Sequence, residues 1–105
     1  MIDISKFEGF EWDIGNQDKN WEKHKISNIE AEQIFFNEPI LIIGDKKHST
    51  DKEKRYAALG ITNYGRELTA IFTIRNNFIR IISARHMSSK ERKIYYEETE
   101  KNPEI

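Results

Sequence analysis

Apolar residues along this chain change their spacing part-way, and the change divides predicted helices from predicted strands. Phe7, Phe10 and Trp12 alternate loosely, which predicts a short edge strand over 7–12. Asp13 is placed to cap a helix over roughly 14–24, where Ile14 and Trp21 stand seven apart on one face. Ser27 and Glu30 have the spacing of a capping box, and Ile26 just before them is placed to staple onto Ala31. The helix they open carries Ile29, Gln33 and Phe36 as its inward stripe, beside Ile34 and Phe35, and Pro39 stops it.

Beyond Pro39 the pattern is one of strands. ILII at 40–43 is a continuous apolar run, the mark of a strand covered on both faces. GDKKHSTDK at 44–52 is a charged, solvated loop. RYAALGI at 55–61 alternates weakly, and TNYG at 62–65 is a turn in which Gly65 is free to take positive φ. ELTAIFTI at 67–74 and FIRIIS at 78–83 are joined across Asn76-Asn77, a pair that tolerates left-handed backbone and predicts a tight hairpin. Ser88 and Glu91 form a second capping box, opening a helix through about Thr99. The order β-α-α-β-β-β-β-α predicts an α+β fold with an antiparallel sheet and its helices packed on one face. One domain is expected over 1–105, with its core at about 7–99 and a frayed tail at 100–105.

Composition narrows the function. The chain is 33% charged and 37% hydrophobic, with seventeen bases against eighteen acids, so it lacks the self-repelling charge of a disordered chain. No apolar window is long enough for a membrane helix, and the acidic opening MIDISKFEGFEWD lacks the basic and apolar regions of a secretory signal. A cytoplasmic protein is expected. Without cysteine there is no disulfide, thiolate metal site or cysteine nucleophile. His24, His48 and His86 have no paired ligand spacing, Asp45, Asp51 and Glu53 do not form a calcium loop, and Gly60 and Gly65 fit no phosphate-loop pattern. The expectation is therefore no metal and no cofactor.

Charge is unevenly spread. Residues 1–53 hold twelve acids and seven bases, whereas residues 54–105 hold six acids and ten bases, including all six arginines. Arginine presents a planar, permanently charged fork suited to phosphate. In a regular strand over 78–85, Phe78, Arg80, Ile82 and Ala84 share one face, and Ile79, Ile81 and Ser83 share the other. Arg80 then points to the uncovered side, where Arg85 and Arg55 are placed to join it. Two readings stay open at this point: an anion site, or guanidiniums neutralised internally by Glu53, Glu67 and Glu91.

FEWDIGNQDKNWEKHKIS, EAEQIFF, EKRYAALG, RELTAIF and RIISARHMSSKERKIYYEE, in that order from Phe10 to Glu98, resemble the BrnT family of bacterial type II toxins. RIISAR followed by Glu-Arg and tyrosine is the most specific part, and the Lys23-His24 pair falls where the family has Lys-His-Gly. Lys25 stands in place of that glycine, and Ile14-Gly15-Asn16 in place of a proline-containing helix start. The resemblance implies a RelE-like ribonuclease toxin, neutralised by a BrnA-like antitoxin that carries its own DNA-binding domain. Operator DNA would be reached only through that antitoxin. It further implies metal-independent cleavage of RNA through its own 2′-hydroxyl, with consequent arrest of translation. Arg55, Arg80 and Arg85 would clamp charge, since arginine cannot readily act as acid or base. His24 is the candidate for proton transfer, with Lys23, His86 and Tyr96 as RNA contacts. Glu53 would act as a base or orient Arg55, and one of Tyr95 and Tyr96 would pack on the sheet. His48 reads as a solvated loop residue, and Trp12 and Trp21 as structural. The rival reading is a binding module without catalysis, whose arginine face receives an acidic antitoxin segment and serves operon autoregulation.

Overall fold

The computed structural model describes residues 4–101. A 3-10 turn at Ile4–Lys6 precedes β1 (Gly9–Trp12), α1 (Ile14–His24), α2 (Asn28–Gln33), β2 (Leu41–Gly44), β3 (Arg55–Ile61), β4 (Glu67–Arg75), β5 (Phe78–His86) and α3 (Ser89–Lys101). The tail from Asn102 onward and the Ile14 side chain, both subjects of expectations above, lie outside the described residues. The radius of gyration, 13.0 Å, is that of a packed chain of this length. No helix among the described residues is long and apolar enough to cross a membrane.

The five strands form one sheet in the order β1-β5-β4-β3-β2. It is mixed rather than antiparallel: β1 lies at the edge and runs parallel to β5, pairing Gly9 with Phe78 and Trp12 with Ile81. A parallel neighbour needs a long crossover, and here everything from α1 to β4 supplies it. The β4–β5 hairpin turns at Asn76 and Asn77, whose φ values of 51° and 68° are the left-handed pair a two-residue turn demands.

Helices cover both faces, not one. On the first face Ala58, Leu68, Ala70, Phe72, Ile79, Ile81 and Ala84 pack against Ile26, Ala31, Ile34 and Phe35 from the α2 region. Gly60 belongs to this layer because a Cβ there would lie 2.9 Å from the Ile34 Cβ. Phe35 joins the layers by edge-on contacts with Phe10 and Phe72 at centroid distances of 5.4 and 5.3 Å, each worth about 0.5–1.5 kcal/mol beyond burial. On the second face α3 supplies Tyr95, which packs with Met87 on Leu41, Ala57 and Leu59. The Tyr95 hydroxyl donates to the Pro39 carbonyl at 2.6 Å.

Three packing expectations are corrected. Ile29 and Phe36 are exposed, whereas Glu30, Ala31, Ile34 and Phe35 are buried. Glu30 is tolerated inside because the Arg66 guanidinium and the Thr62 hydroxyl satisfy its carboxylate. Strand β2 is not covered on both faces throughout: Leu41 is buried, whereas Ile43, two residues on and on the same face, is exposed. Trp12 packs on the core and donates its indole N–H to Glu32 at 2.7 Å, but Trp21 is 53% exposed, with the Lys25 ammonium 5.3 Å from its ring.

Candidate active site

A β-bulge decides which arginines share a surface. Ile71 pairs with Ser83 but Phe72 pairs with Ile81, leaving Ile82 as the extra residue of β5. A bulge resets the alternation of the strand. Arg80 and Arg85, five apart and on opposite faces of a regular strand, therefore share the second face, while Ala84 turns into the core with Ile79 and Ile81. The expected grouping of Ala84 with Arg80 is corrected on this ground.

Three rows of side chains cross that face. One runs Glu11, Arg80, Thr73, Arg55; the next runs Ser83, Ile71, Ala57, Ile43; the last runs Arg85, Thr69, Leu59, Leu41. Helix α3 covers much of the last row and reaches Ala57 in the middle one, leaving Ile43 at that row's β2 end exposed. The middle row floors a groove of about 430 Å³ whose walls include Arg55, Arg85, Asp45, His48 and Glu91. The backbones of Arg55 and Arg85 are about 13 Å apart along the strands, at 3.3 Å per residue, and both side chains reach the groove.

The guanidiniums are gathered but not bare. Arg85 donates two hydrogen bonds to Glu91, at 2.6 and 2.9 Å. The same carboxylate accepts the Ser88 N–H at 2.8 Å and the Thr69 hydroxyl at 3.1 Å, so the capping box of α3 doubles as the mount of Arg85. Burial opposes ionisation of Glu91, but the Arg85 hydrogen bonds, the Ser88 N–H and the Arg85 charge outweigh it and hold the carboxyl at about 2. Arg55 donates to Glu53 at 3.1 Å, and Arg75 shares that carboxylate at 3.4 Å. Arg80 lies 3.6 Å from Glu11 and 3.9 Å from Asp13, and it does not line the groove. Glu53 and Glu91 neutralise arginines internally, whereas Glu67 accepts the Tyr96 hydroxyl.

His24 ends α1, which packs along β5. A second cavity, of about 160 Å³, lies between these elements and is lined by Lys19, Asn20, Lys23, His24, Ser83, Ala84 and Arg85. Ser83 and Arg85 border both cavities, so His24 and Lys23 adjoin the groove. Burial, and then the charges of His86, Lys23 and Arg85, push the His24 pKa below its ordinary 6.5. None of the described residues hydrogen-bonds its ring, and the carbonyls at the α1 end are taken by Arg66, which donates to His24 O at 3.1 Å and Lys25 O at 2.9 Å. The helix closes on Lys25 at φ 55°, a left-handed position that favours glycine.

The remaining candidates are dispersed. His86 is exposed, and its Nε2 lies 3.0 Å from Arg66 Nη2. Tyr96 is 45% exposed, lines neither cavity, and its hydrogen bond to Glu67 lifts its hydroxyl to about 12. Tyr95 is the tyrosine that packs on the sheet. Sequence reasoning did not single out Arg66, which joins the α1 end to Glu30 and His86. Nor did it single out Asn20, which accepts the Ala84 N–H at 3.1 Å.

The family model for the ribonuclease toxin BrnT of type II toxin–antitoxin systems matches residues 12–91. The chain belongs to the BrnT family. Both cavities fall within the matched span, as do Lys23, His24, Arg55, Arg80, Arg85 and Glu91. Membership in this toxin family implies an antitoxin partner and an RNA target. A search of curated proteins finds no match to the chain.

Proposed function

We propose that the groove and the cavity beside it form the active site of a metal-independent endoribonuclease on a RelE-like scaffold, the toxin of a type II pair acting in the cytoplasm. The observation that carries this reading is Arg85. One permanently charged guanidinium borders both an apolar-floored groove and the cavity containing His24. RNA brings its own nucleophile, the 2′-hydroxyl, so cleavage needs a proton acceptor, a proton donor and cations for the phosphorane. His24 has its charged form disfavoured by burial and by the neighbouring His86, Lys23 and Arg85, which favours a neutral imidazole able to accept the 2′-proton.

Arg85 faces the phosphorane, held on its carboxylate mount so that little reorganisation accompanies the reaction. Arg55 stands across the groove from Arg85 and adds a second cation for the RNA backbone. The apolar floor of Ala57, Ile71 and Ile82 offers a seat for a base between them. Lys23 adds phosphate attraction, and Arg80 and His86 serve as flanking contacts outside the cavities. Tyr96 lies beyond them on α3, where it would meet only a strand that leaves the groove in that direction.

A non-catalytic module that binds a BrnA-like antitoxin, and reaches operator DNA only through it, is the second reading. It draws on the pairing of Arg55, Arg80 and Arg85 with Glu53, Glu11 and Glu91, which lowers the free positive potential of the face. Incubating the purified chain with RNA in EDTA separates the two. Cleavage into fragments ending in a 2′,3′-cyclic phosphate supports the enzyme; intact RNA, with antitoxin affinity retained, refutes it.

A further inference from the structure

The far wall of the groove contains a titratable pair that none of the roles above uses. The loop between β2 and β3 is tightly bonded: Asp45 N–H donates to Arg55 O at 2.8 Å, and the Ser49 hydroxyl donates to Asp45 O at 2.6 Å while accepting the Arg55 N–H at 2.8 Å. Thr50 and Glu53 close the rest of it with bonds of 2.8 and 3.0 Å. Within this frame His48 Nδ1 lies 2.9 Å from Asp45 Oδ2, and the His48 backbone N–H donates to Asp45 Oδ1 at 3.3 Å. The Asp45 side chain is 17% exposed and that of His48 is 57% exposed, so the carboxylate is anchored and the ring presented. A carboxylate accepts only, which places the Nδ1 hydrogen toward Asp45 and leaves Nε2 for other work. Both residues line the groove with Arg55, Arg85 and Glu91, while Lys46 and Lys47 flank them in the loop.

We propose that His48, positioned by Asp45, is the catalytic acid of the groove and protonates the leaving 5′-oxygen. The assignment rests on the ribonuclease reading. In the step, the 2′-hydroxyl proton passes to His24, the 2′-oxygen–phosphorus bond forms, and the phosphorus–5′-oxygen bond breaks with its electron pair. The 5′-oxygen then takes the proton from His48 Nε2. The products are a 2′,3′-cyclic phosphate and a 5′-hydroxyl, and exchange with water restores both rings. Arg85 borders the cavities of both histidines. His86 is a poorer donor because Arg66 already occupies its Nε2. Asp45 acts as a positioning residue, stabilising the imidazolium and fixing the ring.

The test uses the full chain in EDTA on two RNA oligonucleotides, one natural and one with the bridging 5′-oxygen of the scissile bond replaced by sulfur, which departs without a proton. His48→Gln keeps reach to Asp45 but has no proton to give. On natural RNA its kcat is expected to fall roughly 10²–10⁴-fold, with KM little changed and the alkaline limb of the rate–pH profile lost. On the sulfur-bridged RNA it should cleave at close to the wild-type rate. Asp45→Asn should show a smaller loss with the same rescue. Undiminished cleavage of natural RNA by His48→Gln, or a loss that persists with the sulfur leaving group, would overturn the assignment while the ribonuclease reading stands. A wild-type chain that cleaves neither RNA overturns both.

Discussion

Glu91 offers the sharpest test of how the site is held together. Replacing it with glutamine removes the charge from a carboxylate that meets Arg85, Ser88 and Thr69 and changes little else in size. A carboxyl held at about 2 instead of the ordinary 4.5 corresponds to roughly 3 kcal/mol of linkage free energy. The Arg85 side chain is 39% exposed and that of Glu91 is 19% exposed, so screening by solvent brings this to about 1–2 kcal/mol. Because the folded state favours the ionised form, the stabilisation is complete above pH 4.5 and is lost as the pH falls toward 2. Urea unfolding followed by tryptophan fluorescence, from about pH 7 down to about pH 2.5, reads it directly. Wild type should exceed Glu91→Gln by about 1–2 kcal/mol at neutral pH, with the gap closing between pH 4.5 and 2. A gap that stays constant across this range would show that the Arg85–Glu91 charge pair does not stabilise the fold.

Other expectations follow from single contacts. Arg85→Ala should reduce RNA cleavage by about 10²–10³-fold, whereas Arg80→Ala, outside both cavities, should reduce it far less; equal losses in a cleavage assay would mean that the groove is not the reaction site. Lys25→Gly should be more stable than Lys25→Ala by about 1 kcal/mol, since both lose the contact with Trp21 and only glycine relieves the left-handed backbone; thermal melts compare them. Gly60→Ala should cost about 1–3 kcal/mol because its Cβ would meet Ile34 at 2.9 Å, and urea midpoints measure that.

Local chemistry was the legible part of the fold. The Asn76-Asn77 turn and the Ser88–Glu91 box both appear where their residue types predict them, because a turn and a cap are settled by neighbours a few residues away. What depends on distant partners was not legible. Ile29 and Phe36 read as an inward stripe, yet Glu30 is the buried residue, since Thr62 and Arg66 arrive from across the chain to satisfy it. The strand facing was misread at Ile82, because no residue type marks that bulge and one extra residue inverts everything after it. In the site, the arginines and the Lys23-His24 pair stood out by residue type and by resemblance. The Asp45–His48 spacing was equally visible, but its value lies in a groove that exists only once β2, β3 and β5 are side by side.

The parallel pairing of β1 with β5 has a consequence for when this molecule becomes complete. Gly9 has no partner strand until Phe78 has been made, so β1 waits for β5 before it can find its place in the sheet. His24 rides on the helix that β1 leads into, and meets Arg85 only when that helix lies along β5. A nascent or truncated chain lacking β5 is thus missing one wall of each cavity, and any chemistry seated there begins only once that strand is in place.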